Sequence, residues 1–373
     1  MKSFVVRYKL KGNDVRSTIG NYPNMTIAQA RKKARVLLNT FSEGINPNIQ
    51  KKASEARNTT LSQCLYDYFR VNHQLAGSTV ASYNVSICQY LKDWQHKPLL
   101  SISRDMVEKR HLKIGETSHT RANYTMRLLR ALFNFAHGEY ENEKGEPFFI
   151  HNPVARISHK KLWFKETRRN SFISTKDIPT WYQGVTTLPE WLDNPQANTE
   201  SIRDYLLFLW LTGLRRTECA MIQKSWIDSD NRSVTIPGEV TKNGVEHQIP
   251  LSDYLMNIVE SRMGREGQFL FSGKTSEDYI KEPKKIVNQV RARTGVHFTI
   301  HDLRRTFITN AESLGYSGYT LKRLLNHRNK ADVTDEYIVS DVENLRPIMQ
   351  AITDRLVAVA TSETKDNVIK LFT

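Results

Sequence analysis

At three places where an apolar helical pattern begins, a threonine stands three residues ahead of a side chain that can return its hydrogen bond. The pairs are Thr26 with Gln29, Thr60 with Gln63, and Thr299 with Asp302. Such a pair satisfies the free N–H groups of a helix start reciprocally and so marks where a helix opens. Behind the first, Ala30, Ala34, Leu37, Leu38 and Phe41 form an apolar stripe that predicts a helix over 27–41. Behind the second, Leu61, Leu65, Tyr68 and Phe69 recur at helix spacing, and so do Val80, Tyr83, Ile87, Tyr90 and Leu91. The strongest helical pattern spans 118–137, with Tyr124, Leu128, Leu129, Leu132 and Phe135 facing inward. Strand patterns are few. Residues 4–8 and 16–19 read as short strands around Gly12-Asn13-Asp14, and residues 234–236 and 245–251 flank Asn243-Gly244, a strong hairpin signal. The fold class expected is mainly α with small β elements.

A chain of 373 residues is too long for one ordinary core. Gly44 and Pro47 end the first helix, and the polar run 48–58 has linker character. A second break falls at 145–153 and the basic stretch 160–169. Three domains are expected: a sheet-plus-helix unit with its linker at 1–57, a helical unit with its linker at 58–165, and a mostly helical α/β unit at 166–373 with a C-terminal tail.

Lys and Arg number 54 against 39 Asp and Glu, a net charge of +15. The excess favours a polyanionic partner, and nucleic acid is the commonest one. It is uneven: residues 1–57 hold twelve basic and three acidic residues. Arg7, Lys9, Lys11 and Arg16 on the strands, Arg31, Lys32 and Arg35 on the first helix, and Arg121, Arg127 and Arg130 on the long helix are the candidate DNA contacts. The same arginines on a long helix also suit an ordinary solvated face. No stretch reaches the ~20 apolar residues of a membrane span. The start, MKSFVVRYKLKGNDVR, is charged too early for a signal peptide. Cys64, Cys88 and Cys219 are widely spaced with no CxxC, so neither a disulfide framework nor a zinc site is indicated. These features together suggest a cytoplasmic, nucleoid-associated protein.

Four fragments of the C-terminal half carry chemistry: Thr212 to Glu218 (TGLRRTE), Thr241 to Gly244 (TKNG), His301 to Arg304 (HDLR), and Asn326-His327 with Tyr337 ten residues on. Breaking a phosphodiester without a metal needs fixed positive charge at the non-bridging oxygens, and the arginine fork suits that best. Arg215 follows an apolar helix and a glycine, with Glu218 placed to orient it from one turn on. His301 and Arg304 share a helix face at the first turn, where backbone N–H groups favour an anion. Lys242 beside the turn suits a general acid, and His327 a further donor to phosphate. Tyr337 is one of fifteen tyrosines, and Tyr316 or Tyr319 compete for its place on spacing alone.

The fragments resemble the boxes of the tyrosine recombinase (phage integrase) family. TGLR with Glu218 resembles the first box, TKNG followed by His247 to Ser252 the lysine hairpin, HDLRRTF the second box, and LLNH with its later tyrosine the end of that box. Asn326 stands where many members carry glycine, and asparagine also tolerates left-handed backbone. Upstream, IGNYPNMTIAQARKKA followed by GINP resembles the arm-binding domain of integrases from genomic islands and P4-like elements, and residues 60–159 resemble the helical core-binding domain. The resemblance implies Arg215, Lys242, His301, Arg304 and His327 as the activating set and Tyr337 as nucleophile of a 3′-phosphotyrosine transesterification. It implies neither ATP nor a metal nor any cofactor. It further implies double-stranded DNA carrying core and arm attachment sites, a monomer that becomes a homotetramer on DNA, and accessory bending or directionality proteins. The tail at Val368–Phe372 suits either a segment that docks on a neighbour or an end that packs on its own subunit or frays. A relaxing topoisomerase or telomere resolvase with the same boxes is the enzymatic rival, and a non-catalytic DNA-binding regulator the other.

Overall fold

The computed structural model describes residues 2–10, 12–142, 144–167, 170–192, 198–326 and 342–362, in two compact units, Met1–Arg168 and Arg169–Thr373. Lys11, His327, Tyr337 and the tail segment Val368–Phe372 lie outside the described residues.

The first unit opens with β1 (Ser3–Leu10) antiparallel to β2 (Asn13–Asn21), longer than the pattern predicts because Asn13 and Asp14 pair as strand and Gly12, at φ 87°, makes the turn. Alternation leaves Arg7 and Lys9 exposed on one face, while Tyr8 on the other stacks on Phe41 at 4.9 Å. That phenylalanine belongs to α1 (Ile27–Ser42), which opens with the predicted reciprocal cap: Thr26 N–H donates to Gln29 Oε1 at 3.0 Å and Gln29 N–H to Thr26 Oγ1 at 3.3 Å.

The expected linker 48–58 is instead a helix, α2 (Pro47–Arg57). Pro47 does not end a helix here but starts one, since its missing N–H is harmless at the first helical position. Asn46 caps it by accepting from Asn48 N–H at 3.0 Å, and the Asn48 side chain donates to the Arg16 carbonyl at 2.8 Å.

Helices α3 (Leu61–Val71), α4 (Gly77–Val85), α5 (Arg104–Gly115), α6 (His119–Glu139) and α7 (Ala155–His159) enclose a core of Leu61, Leu91, Leu99, Met126, Leu129 and Leu132. The helical pattern over 80–91 holds only to Val85, beyond which the backbone takes a π-helical turn at Ser86–Tyr90. The stretch expected as an exposed break after 160 is packed on this unit as far as Glu166. Phe164 stacks on His119 at 4.3 Å, its carbonyl accepts from the Asn123 side chain at 2.9 Å, and Glu166 accepts from Asn123 at 2.7 Å. Two large aromatic rings in that stretch had more apolar surface to bury than a hinge leaves covered.

The second unit comprises α8 (Ile178–Thr186), α9 (Leu188–Trp191), α10 (Thr199–Thr212), α11 (Arg216–Ala220), β3 (Ile227–Asp228), β4 (Ser233–Ile236), β5 (His247–Pro250), α12 (Asp253–Met263), α13 (Lys284–Thr294), α14 (Ile300–Ser313), α15 (Gly318–Leu324) and α16 (Arg346–Ser362). Helix α10 is its axis: Tyr205 to Thr212 are all buried, as an all-round apolar helix must be. It packs on α14, and α16 packs on both α8 and α14. The sheet is antiparallel in the order β3-β4-β5, with Val234 opposite Ile249 and Ile236 opposite His247. The Asn-Gly pair does not close a two-residue hairpin. Strands β4 and β5 are joined by the longer connection 237–246, within which Gly244 N–H donates to the Thr241 carbonyl at 3.3 Å, leaving Lys242 and Asn243 at the turn's centre. The tight-turn signal loses because residues 245 and 246 do not pair with β4.

Candidate active site

Helix α10 ends at Gly213, whose φ of 63° is left-handed and whose N–H donates to the Leu209 carbonyl at 2.9 Å. Its own carbonyl accepts from Arg304 Nη1. A Cβ at this position would fall 2.6 Å from the Phe307 ring, so only glycine turns the chain here without displacing that core residue. Two residues on, Arg215 takes extended backbone as the cap of α11. Glu218, 1 % exposed, then serves three donors: Arg215 Nη1 at 2.8 Å, Arg215 N–H at 3.4 Å and Lys242 N–H at 3.2 Å. The orienting contact expected from the i,i+3 spacing is present, and the same carboxylate also fixes the lysine turn.

Helix α14 supplies the second pair. Thr299 N–H donates to Asp302 Oδ2 at 2.8 Å and Asp302 N–H to Thr299 Oγ1 at 3.3 Å, the predicted capping arrangement. It sets His301 in the first turn, exposed, and Arg304 one turn later, 4 % exposed. Arg304 hangs from two carbonyls: Nη1 donates to Gly213 and Nη2 to Leu325 at 3.2 Å. Burial, and then the neighbouring Arg215 charge, lower the Arg304 guanidinium to about 10, with Glu218 opposing, so it stays charged at neutral pH. Desolvation, reinforced by Arg305 and Arg304, holds the His301 imidazole below its ordinary range, which leaves it neutral and able to accept a proton.

Sequence reasoning assigned no part to two residues that complete this cluster. His247 of β5 is 4 % exposed, its Nε2 meets the Leu324 carbonyl at 3.1 Å, and burial lowers it to about 4. Its Nδ1 has no hydrogen-bond partner among the described residues. Asn326 takes left-handed backbone at φ 49° and exchanges side-chain hydrogen bonds with Asn243. The signal for Asn326 was its departure from glycine; nothing in sequence spacing marks His247 as buried beside the arginines.

One guanidinium and a lysine turn held by a buried carboxylate, a second guanidinium held by two carbonyls, and a histidine in the first turn of α14 make an arrangement suited to an anion, with the positive charge fixed before any ligand arrives. Among the described residues no group of three or more His, Cys, Asp or Glu side chains is arranged to hold a metal ion.

The candidate DNA contacts divide by surroundings. Arg7, Lys9, Arg16, Arg31, Lys32 and Arg35 are exposed. On α6, Arg121 lies over the Tyr90 and Tyr124 rings, Arg127 pairs with Glu166 at 2.8 Å, and Arg130 donates to Ser158 at 2.8 Å beneath Trp163. Among the described residues no helix is long and apolar enough to cross a membrane.

Residues 185–344 match the model of the phage integrase family, and residues 1–54 match that of an arm DNA-binding domain. The chain carries a phage integrase family domain. It is a site-specific tyrosine recombinase. Prophage integrase IntZ of Escherichia coli K12 is 23 % identical over 83 % of this chain and 75 % of its own length. Prophage integrase IntF of the same organism is 24 % identical over 98 % of this chain and 85 % of its own. Among solved structures, a lambda integrase tetramer bound to a Holliday junction shares the integrase fold with a TM-score of 0.57 at 18 % identity, covering 88 % of this chain and 94 % of that one.

Proposed function

We propose that this recombinase integrates and excises a mobile element with Tyr337 as nucleophile and Arg215, Lys242, His301, Arg304 and His327 as the activating set. The phenolic oxygen of Tyr337 attacks the scissile phosphorus as its proton passes to His301. The bond from phosphorus to the 5′ oxygen breaks, and that oxygen takes a proton from the Lys242 ammonium. The product is a 3′-phosphotyrosyl link that conserves the bond energy, so a 5′ hydroxyl from a partner strand reverses the step on a new strand. Arg215 and Arg304 bind the non-bridging oxygens, where charge accumulates. His327 adds a hydrogen bond there.

The observation that carries this reading is Glu218, a buried carboxylate that fixes both Arg215 and the Lys242 turn beside the suspended Arg304. In the same reading, residues 1–57 bind arm-type sites, 58–165 bind the core site and 166–373 perform the chemistry. Two strand exchanges need four copies, so the free monomer assembles as a homotetramer on double-stranded DNA in the cytoplasm, at the nucleoid, with accessory proteins setting direction. The α6 arginines, tied by internal contacts, would present their remaining N–H groups to the duplex, while the hairpin and α1 cations meet it unencumbered.

The test is a nicked suicide duplex spanning the element's ends, incubated with the wild type and Tyr337→Phe and resolved on a denaturing gel. A covalent adduct formed by the wild type and lost in the variant is expected. Adduct persisting in Tyr337→Phe would assign the nucleophile to another tyrosine.

A further inference from the structure

Lys242 is exposed on a long connection, between strands that stop pairing at Ile236 and His247, yet a general acid must sit within hydrogen-bond reach of one oxygen. Its backbone is bracketed on both sides. On one side its own N–H is held by Glu218. On the other, Asn243 Nδ2 donates to Asn326 Oδ1 at 2.9 Å and to the Asn326 carbonyl at 3.1 Å. Asn326 Nδ2 replies with bonds to Asn243 Oδ1 at 3.3 Å and to the Val245 carbonyl at 3.1 Å. The turn is braced internally as well, since Thr241 Oγ1 donates to the Val245 carbonyl at 2.8 Å. Asn326 meanwhile follows Leu325, whose carbonyl holds Arg304, and Leu324, whose carbonyl meets His247.

Asn326 is 6 % exposed, and its side chain comes with a left-handed backbone that glycine would adopt without strain. Its amide engages at both ends, so the side chain does what a glycine there cannot: it ties the lysine turn to the chain segment that holds Arg304. We propose that the reciprocal Asn243–Asn326 amide pair is a positioning device for Lys242, one that aims its ammonium at the leaving 5′ oxygen and keeps it in register with Arg304. The inference rests on the general-acid role given to Lys242 above.

The experiment follows from the chemistry of the leaving group. When sulfur replaces the bridging 5′ oxygen, the leaving thiolate needs no proton, because a thiol ionises near 8.5 and departs unassisted. Single-turnover adduct formation would be measured on nicked element-end duplexes with oxygen and with sulfur at that position. The proteins would be the wild type, Lys242→Ala, Asn243→Ala, Asn326→Gly and the Asn243→Ala/Asn326→Gly double variant. Asn326→Gly relieves backbone strain, which keeps one arm of the test free of misfolding, and melting temperatures check the others.

On the oxygen substrate both single clasp variants are expected to be slower by about tenfold or more, the scale of lost general acid catalysis. The double variant should be no slower than the worse single, since either change opens the same clasp. On the sulfur substrate all of these defects should shrink to within about twofold of wild type, as should that of Lys242→Ala, because no proton is then required. If Lys242→Ala stays defective on sulfur, its assignment as the acid fails, and this inference with it. If Lys242→Ala is rescued while the clasp variants are not, or if either clasp variant cleaves the oxygen substrate at the wild-type rate, the positioning role is overturned and the acid assignment stands.

Discussion

Replacing Glu218 with glutamine would keep the shape of the side chain and an oxygen acceptor for Arg215 and Lys242 while removing the charge. The Arg215 guanidinium would then lose its buried ion-pair partner, and Arg304, lowered by burial and by the Arg215 charge, the one carboxylate that opposes that shift. Removing one partner of a buried charged group leaves the other uncompensated, so Glu218→Gln is expected to lower stability by about 3 kcal/mol in low salt. Adding sulfate, which can occupy the anion site, should recover part of the loss. Denaturant midpoints with and without sulfate measure both, and an unchanged midpoint would show that the carboxylate does not balance the arginine pair. His247 makes a second claim at this scale. Its imidazole falls from the ordinary 6.5 to about 4 on burial, so the folded protein excludes a proton that the unfolded chain binds. Above pH 6.5 this has no effect on stability. As pH falls from 6.5 toward 4 the unfolded state gains protons first, and stability declines by about 3 kcal/mol in all, levelling off below the folded value. His247→Gln should remove that slope between pH 6.5 and 4 in a series of urea titrations, and a slope that persists would place its origin in other groups.

Elements decide where these side chains stand, and the junction of α10 with α11 shows how. Gly213→Ala would force a Cβ into left-handed backbone and against the Phe307 ring, at 2.6 Å. Strain and overlap together should destabilise the second unit by about 3 kcal/mol. The same change moves the carbonyl that holds Arg304, so the adduct rate should fall even at temperatures where the variant is fully folded. A folded Gly213→Ala with wild-type cleavage would mean that this carbonyl does not set the arginine. Much of this level was legible from sequence. Thr26 and Gln29 cap α1, Thr299 and Asp302 cap α14, and the i,i+3 spacing of Arg215 and Glu218 does produce their ion pair. Local hydrogen-bond chemistry needs only neighbours in sequence, which is why it could be read. What stayed hidden is long-range. The helix that Pro47 opens is tied by Asn48 to the Arg16 carbonyl of β2, 32 positions away, and the Asn243-Gly244 turn yields its hairpin geometry to bonds with Asn326, 83 positions away. Neither partner is visible from the local pattern.

Across the whole molecule the positive charge is concentrated toward the N-terminus, where twelve of the basic residues fall within residues 1–57. The register of the hairpin gives that charge a shape, because Arg7 lies directly opposite Arg16 and both are exposed. Like charges facing each other across two strands are mildly destabilising by themselves. They are favourable only when an anion shares them, and a duplex phosphate is such an anion. Folding and binding therefore place opposite demands on this pair, and the two can be separated by experiment. Arg7→Gln/Arg16→Gln should raise the stability of the free protein slightly, by about 0.5 kcal/mol. The same variant should bind arm-type duplex more weakly, and the slope of log affinity against log salt should flatten by about two, one for each phosphate no longer neutralised. Fluorescence anisotropy across a salt series, beside thermal melts of the free protein, reads both quantities. Weaker binding with an unchanged slope would mean that the two arginines shape the hairpin without touching the backbone of the DNA. A flattened slope with unchanged or higher stability would fix the outward face of β1 and β2 as the surface that meets phosphate, and would explain why the strands keep two arginines opposed where the fold itself is better served without them.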